Sequence, residues 1–184
     1  MTQIPVNQYG DKILRKKAIP LQKIDAETIK FVKDMFETMH EASGVGLAAN
    51  QVGSAKSVFV VDISVMKDYP NEKPRVFINP KITERSEEMA SYEEGCLSIP
   101  DVRAEVLRPK KIKIQFKDLE FNDQTLEVED FLARVIQHEY DHLQGIYFTD
   151  RIPEDQQKKL KRELIRIKNR KVEVDYPVTE RERD

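Results

Sequence analysis

Two histidines four residues apart, with a glutamate directly after the first, carry the most pointed chemistry in this chain: Gln137-His138-Glu139-Tyr140-Asp141-His142-Leu143-Gln144-Gly145. On a helix, residues four apart project from the same face, so His138 and His142 can grip one metal ion. Glu139 then stands close enough to serve a metal-activated water as general base. Sites of this kind usually take three protein ligands and leave one position open, so a third ligand is required from elsewhere.

A zinc-peptidase pattern would supply it as a histidine after H-E-x-x-H-x-x-G-x-x, but Phe148 stands there and cannot ligate. A second pattern draws on a downstream glutamate, for which Glu163 is at a plausible distance, although its basic surroundings favour an exposed salt bridge. The other candidate is Cys96, the single cysteine. A lone cysteine is ordinarily a small buried hydrophobe. As a thiolate in the turn-forming run Glu93-Glu94-Gly95-Cys96-Leu97-Ser98, it would complete a Cys-His-His set with one position left for water. His40, the remaining histidine, lies near the end of an earlier helix and reads as a helix-end residue.

The ligand helix is positioned by its own apolar residues. Phe131, Leu132, Val135, Ile136 and Leu143 recur at three- and four-residue spacing, so the helix is expected to be buried; Asp130 is placed to cap its start and Gly145 to end it. Upstream, Asp25 opens a helix to about Ala42 with Ile29, Val32, Met35, Phe36 and Met39 inward. Ile4 to Pro20 reads as extended or irregular. Gly44 to Gly53 matches G-x-G-x-x-A, but a helix precedes it and a strand, Ser57–Ile63, follows, the reverse of a dinucleotide fingerprint. Its glycines instead allow close backbone approach, with Gln51 held among them as an amide donor.

Met66 to Pro74 reads as a polar loop, Arg75–Asn79 as a strand stopped by Pro80, and Ile82 to Tyr92 as undecided. Lys111–Phe116 and Thr125–Val128 form an antiparallel pair around Asn122-Asp123. Pro153 and Glu154 open a last helix with Leu160, Leu164 and Ile167 inward. Its outer face carries Lys158, Lys159, Lys161, Arg162, Arg166, Lys168 and Arg170, either a solvated face or a basic patch for an anionic partner. From about residue 172 the charged tail is expected to be loosely ordered.

The whole chain, 184 residues with 39% hydrophobic and 35% charged, suits one domain over 1–184 with a real core. A net charge of −2 gives no signature for nucleic acid. The lone cysteine excludes an internal disulfide and fits a reducing compartment, and no apolar run reaches membrane-spanning length. A cytoplasmic protein with no membrane association is expected.

Three stretches, Gly44-Val45-Gly46-Leu47-Ala48-Ala49-Asn50-Gln51, Glu94-Gly95-Cys96-Leu97-Ser98 and Gln137-His138-Glu139-Tyr140-Asp141-His142, resemble the three signature motifs of peptide deformylases, in that order and at about that spacing. Two positions depart from the pattern: Asn50 stands where a proline is frequent, and Arg134 sits one turn before the first histidine; both bear on the rim of the substrate pocket. The resemblance implies an α+β fold with antiparallel sheets around the ligand helix. It implies removal of the formyl group from formyl-methionine on nascent polypeptides, by attack of a metal-bound hydroxide. Cys96, His138 and His142 are then ligands of one divalent ion, Fe2+ in cells, with Zn2+, Ni2+ or Co2+ able to substitute. In that reading Glu139 is the base, Gln51 and the Leu97 N–H are oxyanion donors, and Val45, Gly46 and Gly95 pair with an extended peptide. Val135 is a candidate wall for the methionine side chain, Arg103 a candidate contact further along the peptide, and the basic last helix a candidate dock for the ribosome. The competing readings are a metal-dependent peptidase and a catalytically silent metal-binding protein.

Overall fold

The computed structural model describes residues 3–181. Its strands are β1 (Gly46–Ala48), β2 (Val58–Val61), β3 (Arg75–Arg85), β4 (Met89–Cys96), β5 (Ile99–Pro109), β6 (Lys111–Lys117) and β7 (Asp123–Glu129). Its helices are α1 (Ala26–Glu41), α2 (Asp130–Leu143) and α3 (Glu154–Lys168). Five strands form an antiparallel sheet in the order β1-β2-β3-β6-β7, and β4 and β5 form a separate antiparallel hairpin. The architecture is α+β, as expected. Among the described residues no helix is long and apolar enough to cross a membrane.

α1 starts where Asp25 caps it, accepting from the Thr28 N–H, and buries Val32, Met35 and Met39 against β2; Ile29 stays half exposed. At its other end His40 bonds Asp62 at 2.8 Å, and the Asp62 N–H donates to the Val45 carbonyl. His40 thus pins the turn into β1 and is no ligand. Burial works against ionised Asp62, but bonds from Ser64 and His40 outweigh it and lower its pKa.

Two expectations about local structure fail for identifiable reasons. Pro80 does not stop β3. The strand changes partner there, from β2 to β6, with a register shift between Ile78 and Lys81, and a proline is tolerated where a ladder bond is already missing. Asp130 does not cap α2. It is the first helical residue, left-handed at φ 54°, with its N–H on the Lys110 carbonyl, while Glu129 takes the cap position without a side-chain bond. Gly145 does end the helix left-handed, at φ 75°, and a Cβ there would lie 2.5 Å from the Arg15 carbonyl oxygen.

The chain after α3 returns to the N-terminal segment. Val178 makes a parallel bridge with Val6, and Arg170 leaves the basic face of α3 to bond both oxygens of buried Asp11 at 2.8 Å. Lys158 and Glu154, Lys159 and Asp155, and Arg166 and Glu163 pair along α3, so Glu163 takes the exposed salt-bridge role and not that of a ligand.

α2 lies on the five-stranded sheet with the β4–β5 hairpin against its other side. From Leu132 to Leu143 every residue except Tyr140 is buried, so its polar face needs internal partners. They come from β4, where every second residue meets α2. Tyr92 lies under the Arg134 guanidinium, Glu94 bonds both Arg134 and His138, and Cys96 reaches His142. Arg134 is therefore an anchor, held by Glu94 at 2.7 Å and by the carbonyls of Val106 and Ala90. Behind Glu94, Arg108 spans Glu94 and Asp141, and Arg151 closes on Asp141 from outside. Burial would raise the Glu94 carboxyl, but the bonds from His138 and Arg108 override it and hold Glu94 far below the ordinary carboxylate range.

Removing one member of a buried charge network costs about 3–5 kcal/mol. Arg108→Met should fall near the low end, about 3 kcal/mol, because Arg134 still faces Glu94 and Arg151 still faces Asp141. Urea denaturation of the two proteins checks this, and a loss below about 1 kcal/mol would mean that the network contributes little.

Candidate metal centre

The hairpin tip and α2 bring three soft or borderline donors together. Cys96 Sγ lies 3.2 Å from His142 Nε2, and His142 Nε2 lies 3.2 Å from His138 Nε2. All three donor atoms fall within 4.8 Å of one another. A tetrahedral centre with ordinary bond lengths separates its nitrogen ligands by ~3.3 Å and nitrogen from sulfur by ~3.6 Å. The side chains already converge on that spacing, so they fit a single ion.

Local structure explains the convergence. The two-residue turn Leu97-Ser98 closes the β4–β5 hairpin, and a register shift between Gly95 and Cys96 comes just before it. The turn is tied down by Tyr9, whose N–H donates to the Ser98 carbonyl, and by Gln51, whose Nε2 donates to Ser98 Oγ at 3.2 Å and to Cys96 Sγ at 3.4 Å. Gln51 Oε1 accepts from the Ala48 N–H, which fixes the amide orientation and points its NH2 at the sulfur. Asn50, in place of a proline, donates to the His142 carbonyl and so binds this segment to α2. Neither Asn50 nor Arg134 disturbs the rim; both are buried supports, Arg134 adding only an edge to the cleft wall.

The electrostatics suit a cation. His138 Nδ1 faces Glu94 Oε2 at 2.9 Å, and a carboxylate only accepts, so the proton sits on Nδ1 and Nε2 is the metal-facing atom. Burial opposes charge on both imidazoles. Bonds to Cys96 and Glu94 overcome it in His138, raising that ring well above its usual value. In His142 burial and the neighbouring His138 charge hold it well below. Around the site Glu94, Asp141 and Glu139 are buried carboxylates and Cys96 is a half-buried thiol, while Arg108 and Arg134 are the buried cations. The buried carboxylates outnumber the buried guanidiniums there, which favours a cation. Arg151 remains largely solvated and counts for less.

Glu139 approaches from the other rim. Its carboxylate lies against Gly46, where a Cβ would fall 2.5 Å from Oε1, and its Oε2 is buried without a hydrogen-bond partner. Burial pushes the Glu139 carboxyl up to about 7, against the pull of the His138 charge. Phe148, at the position where a third histidine would stand, stacks on the His138 ring at 6.0 Å and holds it in place.

An open cleft of about 990 Å³ leads to these groups. Val45, Gly46, Gln51, Gly95, Cys96, Leu97, Arg103, Val135, His138 and Glu139 all line it, and His142 lies behind. Glu105 accepts from Ser91, and the exposed Arg103 guanidinium rests over Gly95. Residues 173–176 complete the lining. Tyr176 Oη donates to the Leu97 carbonyl at 2.8 Å, and burial raises its phenol so that it stays a donor.

Sequence reading gave no role to Glu94, Arg108, Asp141, Ser98 or Tyr176. A signal for two of them was present: Arg108 is in phase with buried Val102 and Val106, and Glu94 in phase with half-buried Ala90 and Tyr92. A charge on the inward face of an alternating strand requires a buried partner.

Residues 4–158 match the family model for polypeptide deformylase. A peptide deformylase of Salinibacter ruber is 44% identical over 182 residues, covering 95% of this chain and 93% of that protein. One from Chlorobaculum parvum is 43% identical over 175 residues, with 95% and 93% covered. Among solved structures, peptide deformylase from Ehrlichia chaffeensis superposes with a TM-score of 0.83 at 32% identity, covering 92% of this chain and 97% of that one. A plant peptide deformylase does so at 0.85 and 34%, covering 98% of each. Similarity that runs through all three motifs and the strands between them makes this chain a member of the polypeptide deformylase family.

Proposed function

We propose that this chain is a metal-dependent amidohydrolase that removes the N-terminal formyl group from nascent formyl-methionyl polypeptides. The observation that carries the reading is the convergence of Cys96 Sγ, His138 Nε2 and His142 Nε2 beside the unbonded Glu139 Oε2 at the floor of an open cleft. Cys96, His138 and His142 hold the ion, Fe2+ in the cell, with Zn2+, Ni2+ or Co2+ able to replace it. When bound, such an ion supplies Lewis acidity, which lowers the pKa of a water from ~15.7 to about 7.

The chain's own groups do the rest. Glu139 Oε2 takes the proton of the attacking water, whose oxygen bonds to the formyl carbon. The carbon–nitrogen bond then breaks, Glu139 returns the proton to the departing amine, and formate leaves. Gln51 Nε2 and the Leu97 N–H donate to the oxygen on which charge develops. β1 is an edge of its sheet and β4 has β5 on one side only, so Val45, Gly46 and Gly95 can pair with an extended peptide between them. Val135 walls the methionine side chain, and Arg103 meets the peptide further along. These groups act within a single catalytic domain, in the cytoplasm, where a reduced Cys96 persists.

Enzyme purified anaerobically and loaded with ferrous iron or nickel should release formate from formyl-Met-Ala-Ser and nothing from acetyl-Met-Ala-Ser, with chelation abolishing release. Cleavage of an unformylated peptide would instead indicate a peptidase, and a bound ion without turnover a silent metal protein. Glu139→Ala should keep its metal and lose about 10²–10⁴-fold in kcat. Gly46→Ala should do the same in milder form, since its Cβ displaces the Glu139 carboxylate. Normal kcat with full metal in either variant would remove Glu139 from the mechanism.

α3 exposes Lys161 and Arg162 to solvent beside its paired charges, and we assign this face to docking on the ribosome. Salt-sensitive co-sedimentation with ribosomes, lost on reversing both charges, is the expected result; binding that ignores the reversal would assign docking elsewhere.

A further inference from the structure

The segment after α3 is latched on either side of residues 173–176 in sequence. Near its start Arg170 bonds Asp11 and the Thr179 carbonyl, and Thr179 Oγ1 returns to Asp11 at 2.9 Å. Val6 donates to the Pro177 carbonyl and accepts from the Thr179 N–H. Between these latches residues 173–176 line the cleft, and Tyr176 reaches in to the Leu97 carbonyl. The turn carrying Leu97 is held at Ser98 by Tyr9 and Gln51. On its Leu97 side the polar tie is Tyr176, while the Leu97 side chain packs toward Gly44 on the opposite rim.

We propose that residues 173–176 form a fixed wall of the substrate cleft and that Tyr176 is a positioning residue, which holds Leu97 through its carbonyl so that the Leu97 N–H is aligned for the reaction. The proposal rests on the reading of Leu97 as an oxyanion donor. A donor stabilises developing charge only when preorganised, and misplacement of about 1 Å can cost ~10²-fold in rate. Tyr176 is suited to that task because the next residue, Pro177, is latched to Val6 through its carbonyl, so the hydroxyl is delivered from a fixed point. Val174, half buried in the same stretch, also lines the cleft, and within this proposal it serves the peptide residues beyond methionine.

The test compares Tyr176→Phe and Val174→Ala with the wild type, as full chains of equal metal content. Formyl-Met-Ala and formyl-Met-Ala-Ser are the substrates. Tyr176→Phe should lower kcat by about tenfold on both peptides with KM within twofold, because only alignment is lost. Val174→Ala should raise KM for the tripeptide more than for the dipeptide and leave kcat alone. In the zinc-loaded protein, amide hydrogen exchange at Leu97 should quicken by about tenfold in Tyr176→Phe, a readout that does not depend on turnover. Wild-type kcat together with wild-type exchange in Tyr176→Phe overturns the positioning role, and equal KM effects on both peptides overturn the wall. If the wild type itself released no formate, the deformylase reading would fall, while the exchange experiment would still decide whether Tyr176 holds Leu97.

Discussion

The site depends on a near-match between the repeat of a strand and the repeat of a helix. Two residues along β4 advance ~6.7 Å, and four residues along α2 advance ~6.0 Å. Tyr92, Glu94 and Cys96 can therefore meet Arg134, His138 and His142 in succession. The two spacings drift apart by roughly 1.4 Å over the two steps. The register shift between Gly95 and Cys96 falls where that drift is largest. The Cys96 thiol thus sits at the point where β4 stops following its ladder and can adjust to the helix.

Glu94 is the joint of this arrangement. Its two oxygens bond Arg108, Arg134 and His138 together. A carboxylate so deep would be costly if unpaired, yet here it sets the tautomer of one ligand and anchors the helix one turn earlier. The network extends through Arg108 to Asp141, which lies between the two ligand histidines in sequence. Both faces of α2 are consequently fixed, one by apolar packing on the sheet and the other by charge. That explains a helix buried nearly all round although half its residues are polar.

The ligand pair was legible because it is local: the spacing of His138 and His142 is a property of any helix, and Phe131 to Leu143 carry a plain helical period. Cys96 could be nominated as a ligand on chemistry and motif, since few other residues supply a soft anion. The anchoring role of Arg134 was not legible, although it does line the cleft, because its partner Glu94 comes from a strand forty residues away. The same holds for Asn50, whose bond to the His142 carbonyl no local pattern reveals. Pro80 misled in the opposite sense. Proline stops a strand only where its N–H is needed, and whether it is needed depends on which neighbour the strand faces at that residue. The charged composition of the tail gives no hint of the bond that Thr179 makes to Asp11 across 168 residues of sequence.

The origin of the third ligand has a consequence for folding. Had a histidine stood at Phe148, all three ligands would lie within one short stretch, and metal binding would stabilise little beyond it. With Cys96 as ligand, an ion would join the β4–β5 hairpin to α2, and the free energy of binding would become free energy of docking those two elements. Phe148, freed from ligation, packs its ring on His138 and restricts the motion of the imidazole. An ion held there would tie together the two rims of the cleft: one carries Gly95 and Leu97, and the other, through Glu139 against Gly46, carries the edge of β1. The cleft and the metal centre are one construction, and the spacing of β4 against α2 sets the dimensions of both.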